Sequence, residues 1–339
     1  MKEQYEIVFI TTIPAFYKVK LFNEIAKNRK IMVIYTGSRT GLRSKDFLGE
    51  KSIYEYTNLS VRPLKACVQI VSFLQHNKVE RLIVSGWDTI VSYAAALVHP
   101  KSKNGCIVES SIFESSIKGI KALFKRILFK RVSVAYVSGD SQRKLVEGLH
   151  FSGRIVEFGG CGILNYVDQP AFVPREKVTS FIYVGQVIAK KAIPLLISVF
   201  NRNPQWQLTI IGDGILRNEM EKKANDNITF LGAINNVELP KYYKAADVLI
   251  LPSIIEPWGL VVEEALNNGT PVIVSSHVGC ANSIVKPYDV GLVFESGNEN
   301  ALEKSIAMIC NVELYNHFRK NVSALDFKSR SKKQVDAFI

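Results

Sequence analysis

Short β-branched runs alternate with helix-length amphipathic stretches almost from one end of the chain to the other, and the series is played twice. Apolar runs of strand length joined by helices make parallel sheets covered on both faces, because each crossover must pack back on the sheet. In the first half, residues 6–10, 31–36, 81–85, 106–109, 132–137 and 154–158 read as strands. Helices fit at 17–27, 63–76, 90–98, 117–130 and 141–148. After Gly159-Gly160-Cys161-Gly162 comes a less patterned stretch with Pro170 and Pro174, which reads as a linker because glycine and proline punctuate regular structure. A second series begins at Ser180, with strands at 181–184, 207–211, 228–230, 248–251, 271–275 and 291–294. Its helices read at 193–201, 215–224, 238–245, 259–267, 281–285 and 300–310, and residues 313–339 are helical but charge-rich.

The expected class is therefore α/β, with two Rossmann-like doubly wound domains facing across a cleft and ligands at the carboxyl ends of the strands. The expected boundaries are 1–165 for an acceptor-binding domain, 175–315 for a donor-binding domain, and a terminal helix within 316–339 crossing back onto the first. A length of 339 residues with 47% hydrophobic content agrees, since single cores seldom grow past about 250 residues.

Other classes are disfavoured. The five cysteines are odd in number and scattered, with no CxxC pair, which predicts a reduced, cytosolic protein without structural zinc. The opening Met1-Lys2-Glu3-Gln4 runs at once into Ile7-Val8-Phe9-Ile10, too short an entry for a signal peptide. No run reaches about 18 uncharged apolar residues, the length a membrane span needs. The five histidines stand in unrelated contexts, no DxD ends a strand, and no metal site is expected.

The net charge of +12 is unevenly placed: residues 1–170 hold 25 Lys and Arg against 14 Asp and Glu, residues 171–339 hold 18 against 17. Within the first half, Lys118, Lys121, Lys125, Arg126, Lys130 and Arg131 interleave with Ile117, Ile120, Leu123, Phe124, Ile127, Leu128 and Phe129. This basic amphipathic pattern suits contact between Lys118, Lys121, Lys125, Arg126, Lys130 and an anionic membrane. An ordinary solvated helix face is the competing reading. Nucleic acid is not expected, because a single-strand platform interleaves more aromatic residues than Phe124 and Phe129.

The segment richest in chemistry is Leu251-Pro252-Ser253-Ile254-Ile255-Glu256-Pro257-Trp258-Gly259-Leu260-Val261-Val262-Glu263-Glu264. A strand end followed by Pro257 and Gly259 leaves the amides of Gly259, Leu260 and Val261 free at a helix start, where partial positive charge can hold a diphosphate. Glu256 and Glu264 flank that turn, and carboxylates accept charge-assisted hydrogen bonds from sugar hydroxyls. Surface carboxylates that merely stabilise a helix N-terminus would be the plainer explanation. Gly212-Asp213-Gly214 lacks a third glycine, because Arg217 stands there, and reads as a tight turn.

With these words quoted, the chain resembles the retaining glycosyltransferases of family 4, which have the GT-B fold, in good register from Ser180 to about Met308. The resemblance implies that Glu256 contacts the transferred sugar and Glu264 the ribose. Val184-Gly185-Gln186 followed by Lys190-Lys191 is similar to the family's phosphate loop, with Lys191 in the lysine's place. Phe230-Leu231-Gly232 and Ala245-Ala246-Asp247-Val248 match as well, and Ala233 and Ile234 would lie against the nucleobase. The sequence departs from the pattern at Gln186, where an arginine is usual, so that Lys190 would substitute. It departs again at Thr11-Thr12-Ile13-Pro14-Ala15-Phe16-Tyr17, where a glycine pair is common, which resembles a branch that builds surface polysaccharides. Glu109, at a first-domain strand end, is placed to orient or deprotonate the acceptor hydroxyl.

The implied reaction moves a sugar from a nucleotide diphosphate to a hydroxyl with retained anomeric configuration and no metal or other cofactor. The basic first half suggests a glycan or polyprenyl-linked acceptor at the cytoplasmic face of the membrane, as in capsule or lipopolysaccharide O-antigen assembly. A nucleotide-sugar 2-epimerase of the same architecture is the alternative, and a non-catalytic binding protein ranks last.

Overall fold

The computed structural model describes residues 3–37, 51–160 and 166–339. Cys161 and Gly162 of the punctuated stretch therefore lie outside the described residues. The chain divides into two compact units, one of residues 1–162 with 330–339, the other of residues 163–329.

The first unit runs β1 (Gln4–Thr11), α1 (Phe16–Ala26), β2 (Ile31–Tyr35), β3 (Glu55–Asn58), α2 (Pro63–His76), β4 (Lys78–Ser85), α3 (Ile90–Val98), β5 (Asn104–Val108), α4 (Gly119–Phe129), β6 (Val134–Val137), α5 (Asp140–Gly148) and β7 (Arg154–Glu157). Its strands form one parallel sheet in the order β3-β2-β1-β4-β5-β6-β7. The central strands are buried on both sides, as the unbroken apolar runs require. Strand β3 was invisible in the sequence: Glu55-Tyr56-Thr57-Asn58 is an exposed edge strand with no apolar run to announce it.

The second unit runs β8 (Ser180–Val184), α6 (Ile193–Arg202), β9 (Gln207–Ile211), α7 (Arg217–Lys223), β10 (Ile228–Gly232), α8 (Leu239–Ala245), β11 (Val248–Leu251), α9 (Leu260–Asn267), β12 (Val272–Ser275), a π-helical turn at Ala281–Val285, β13 (Gly291–Phe294), α10 (Glu299–Ile309) and α11 (Val312–Ser323), with α12 (Phe327–Asp336) beginning here. Its parallel sheet has the order β10-β9-β8-β11-β12-β13. In both sheets the order reverses beside the first strand, and loops on either side of such a switch point diverge to leave room for a ligand.

The stretch after residue 165 is pinned to the second unit. Asn267 accepts from the Val167 N–H at 2.9 Å and donates to its carbonyl at 2.9 Å, and Gln169 donates to the carbonyls of Leu266 and Val322. Of the segment 316–339, residues 316–329 also belong to the second unit, and only 330–339 return to the first. The reason is the apolar face of α11: Tyr315, Phe318 and Val322 are buried, and the Tyr315 hydroxyl donates to the Asp247 carbonyl at 3.0 Å. The returning residues end in Phe338, which is fully buried and lies 4.6 Å from the Tyr136 ring, 5.7 Å from Phe158 and 5.8 Å from Phe9. Arg81 donates to the Phe338 carbonyl. Burying such a side chain contributes about 1.5–3 kcal/mol.

Candidate functional site

At the switch point of the second sheet, the loops that follow β8 and β11 are tied together: the Ile254 N–H donates to the Lys190 carbonyl at 2.9 Å. The loop after β8 also lies directly against the loop after β9. A Cβ on Gly212 would sit 1.8 Å from the Gly185 carbonyl oxygen, and one on Gly214 would sit 2.4 Å from that of Val187. Gly212 has φ +137°, which side-chain-bearing residues rarely adopt. Backbone therefore meets backbone along this edge, and the glycines of Gly212-Asp213-Gly214 serve close packing.

Glu256 is held by its main chain, which bridges to Val278 and accepts from the Gly279 N–H at 2.9 Å. Its carboxylate pairs with the Lys191 ammonium, the two side chains being 16% and 13% exposed. Neither side chain has another hydrogen bond among the described residues. A pair so lightly held and so nearly desolvated can be opened by a ligand that offers each member a better partner, an anion for the lysine and hydroxyls for the glutamate.

Next to it, Gly259 caps α9 at φ +102° with no side-chain cap. The N–H groups of Gly259, Leu260 and Val261 find no acceptor among the described residues and are the orphan donors of a first helical turn. The corner is braced by Trp258, whose indole N–H donates to Glu263 at 2.6 Å with both residues buried. Sequence reasoning quoted Trp258 without seeing this brace, because nothing in the spacing distinguishes Glu263 from Glu264.

Glu264, half-buried, accepts from the Tyr243 hydroxyl at 2.8 Å. Burial pushes its carboxyl up to about 7, with the charge of Glu263 adding and the Tyr243 bond opposing. Burial, and then Glu264 itself, hold the Tyr243 phenol well above its ordinary value. Tyr243 was missed in the sequence; it comes from α8, and no periodicity announces its partner.

Lys190 and Gln186 are exposed, and the Lys190 ammonium has no partner among the described residues. The Gln186 carbonyl accepts from the buried Tyr183 hydroxyl at 2.8 Å, which shapes the turn at Gly185. Ala233, exposed, and Ile234, half-buried, follow β10 on the same carboxyl edge, two strands out from β8. Among the described residues no three His, Cys, Asp or Glu side chains are grouped to hold a metal ion.

In the first unit, both Glu109 oxygens are engaged: Tyr17 donates to one at 3.2 Å and Lys18 to the other at 2.8 Å. Lys18, almost fully buried, also donates to Thr11 at 2.9 Å. Glu109 thus ties α1 to the end of β5, a set of contacts that the reading of it as orienting or deprotonating an acceptor hydroxyl did not include.

The basic helix also needs correction. Lys125 is only 5% exposed, and its ammonium donates to Ser115 Oγ at 2.5 Å and the Ser116 carbonyl at 2.8 Å, 5.1 Å from the Trp87 ring centroid. Arg126 is half-buried and donates to the Ile117 carbonyl at 3.1 Å. Helical periodicity turns Ala122, Lys125, Leu128 and Phe129 inward, so the outward stripe is Ile120, Leu123, Phe124 and Ile127. Only Lys118, Lys121 and Lys130 of the five cations stand exposed.

Two parallel-sheet α/β units of this topology define the GT-B class of fold. Over its length the chain superposes on the lipopolysaccharide outer core galactosyltransferase WaaB, with a TM-score of 0.75, 17% identity, and 98% of this chain and 99% of that one covered. It superposes similarly on HepE of Anabaena solved with UDP and glucose, with a TM-score of 0.71, 14% identity and coverage of 98% and 99%. Residues 168–324 match the family described as glycosyl transferases group 1. An uncharacterised glycosyltransferase of Methanocaldococcus jannaschii is 37% identical over 113 residues, which is 31% of this chain and 29% of that relative's length. The matched stretch thus spans under a third of that curated relative.

Proposed function

We propose that the chain transfers a sugar from a nucleoside-diphosphate sugar to a hydroxyl group, with retention of anomeric configuration. The observation that carries this reading is the Lys191–Glu256 pair, without other partners among the described residues, beside the amides of Gly259, Leu260 and Val261, which have no described acceptor, at the switch point of the unit whose residues 168–324 match glycosyl transferases group 1. In this reading the amides, Lys191 and Lys190 take the diphosphate and stabilise the charge that grows on it as the glycosidic bond breaks. Glu256, released from Lys191, positions the sugar ring. Glu264 accepts from the ribose diol while Tyr243 fixes its rotamer, and Gly185, Gln186 and Ile234 complete the donor pocket. Charge neutralisation by helix amides and lysines is sufficient in kind for the leaving diphosphate, so the reaction is proposed to need no divalent ion.

That HepE was solved with UDP and glucose supports a nucleotide sugar as donor. The name of WaaB, an outer core galactosyltransferase of lipopolysaccharide, supports a place in surface polysaccharide assembly with a glycan or polyprenyl-linked acceptor. The exposed Lys118, Lys121 and Lys130 around the apolar stripe of α4 suit peripheral contact with an anionic membrane at its cytoplasmic face. The test is nucleoside-diphosphate release from a panel of UDP-, GDP- and dTDP-sugars, with and without lipid-linked acceptors, followed by anomeric analysis of the product. Release from one donor, raised by acceptor and lost in Glu256→Ala, supports the reading; no reaction with any donor, or release unaffected by Glu256→Ala, overturns it.

A further inference from the structure

One pocket stands apart from the diphosphate cradle. It lies wholly in the first unit, measures about 780 Å³, and opens where the loops after β4 and β5 meet α3 and α4. That volume falls within the roughly 300–1,000 Å³ of small-molecule sites. Trp87, Tyr93 and Phe124 provide aromatic wall, while Asp88 and Glu114 bring carboxylates. Asp88 is exposed and has no hydrogen bond to any described residue. Aromatic faces beside carboxylates are what a sugar ring takes, since its C–H face packs on the π surface and its diols donate to the acid.

The rim has the opposite charge. Lys121 lines the pocket at its exposed edge, while Lys125 is fixed in the wall over Trp87. Phe124 belongs to the pocket and also to the outward stripe of Ile120, Leu123 and Ile127, each of these four more than 40% exposed. A pocket carrying two carboxylates, a cationic rim and an apolar track therefore lie together beside α4. No isolated sugar needs the track, and a bare membrane surface needs no pocket.

We propose that this pocket and track bind one amphiphile: a sugar joined through phosphate to an apolar chain. The sugar enters against Trp87 and Asp88, the phosphate meets Lys121, and the chain leaves over Phe124 and its stripe. Calling this sugar the acceptor rests on the transferase reading; the binding itself does not.

The experiment is calorimetric titration of the full chain with octyl phosphodiesters of glucose, galactose and N-acetylglucosamine. The comparison probes are the matching sugar 1-phosphates, which lack the tail, and octyl glycosides, which lack the phosphate, all below their micellar concentrations. At least one joined probe is expected to bind about tenfold tighter than either of its fragments. Phe124→Ser, at an exposed position, should weaken both tailed probes about fivefold; Lys121→Ser should weaken the phosphate-bearing probes by a similar factor and spare the octyl glycoside. Val237→Ser, exposed in the second unit, should change nothing. The proposal is overturned if no joined probe binds, if joined probes bind no tighter than their fragments, or if the two α4 variants match the parent. Phe124-dependent pelleting with anionic vesicles, without binding of any soluble probe, would also overturn it and make the stripe a membrane contact. No nucleotide sugar is present in these titrations, and Glu256→Ala should bind the probes as the parent does, so failure of the donor site would leave this readout intact.

Discussion

Each unit sets a lysine against a glutamate at the carboxyl edge of its sheet, near its switch point, and the two pairs are built differently. In the first unit, Lys18 is shared between Glu109 and Thr11, and Glu109 also receives Tyr17, so the cluster closes on itself. In the second, Lys191 and Glu256 have only each other among the described residues, beside three amides without a described acceptor and a glycine-lined edge. A pair with several protein partners ties chain segments together, while one with a single described partner has capacity left for a ligand. The fold is common to both units, so the partner count is what separates scaffold from cradle.

The sharpest way to break this contrast is to remove the Lys191–Glu256 pair. Glu256→Ala or Lys191→Ala should each lower donor turnover by about 10²–10³-fold, measured as nucleoside-diphosphate release; an equal loss from Lys18→Met would erase the distinction. Next, Gly212→Ala should destabilise the second unit by about 2–4 kcal/mol in urea unfolding, because its Cβ collides with the Gly185 carbonyl. Gly119→Ala, at φ +74° but in open space, should cost about 1 kcal/mol. In the first unit, Glu109→Gln leaves the buried Lys18 charge without its counter-ion. It should lower stability by about 1–3 kcal/mol while nucleoside-diphosphate affinity stays at the parent value.

Glu264 sharpens the comparison through pH. Its folded value of about 7 lies above the ordinary 4.5, so the folded state binds the extra proton between these two values. The associated stability is present below about 4.5, falls as pH rises toward 7, and is gone above it. In the proposed transfer, donor recognition runs the other way, because the ionised carboxylate is the better acceptor for a diol. UDP affinity should therefore rise by up to about tenfold from pH 6 to 8, and Glu264→Gln should remove both trends. The smallest effect is expected from Lys190→Ala, about a two- to fivefold loss of nucleoside-diphosphate affinity that fades in high salt.

Both sheets were legible from the sequence because their strands are buried and uniformly apolar, which is what period and composition record. The π-helical turn at 281–285 and the helices α2 and α3 were legible in extent as well, bounded as they are by turn residues or a leading proline. Edge strand β3 was not, since its pairing is made by main chain alone. At the candidate site, the order of Glu256, Gly259 and Glu264 along one turn was readable. The bonds of Tyr243, Trp258 and Lys18 were not, because each joins residues whose proximity only the folded sheet creates, or whose rotamers the spacing leaves free. The basic helix misled for a related reason: charge counted along a sequence does not say which turn of the helix faces inward, and Lys125 faces inward.

The return of residues 330–339 to the first unit also sets an order of events during synthesis. Residues 1–162 leave the ribosome first, yet the hollow between Phe9, Tyr136 and Phe158 waits for Phe338. At roughly 5–20 residues per second that wait lasts on the order of ten to thirty seconds. All of residues 163–329 emerge within it. The unit begun second is thus the first to have its whole sequence available, and the unit begun first is sealed last.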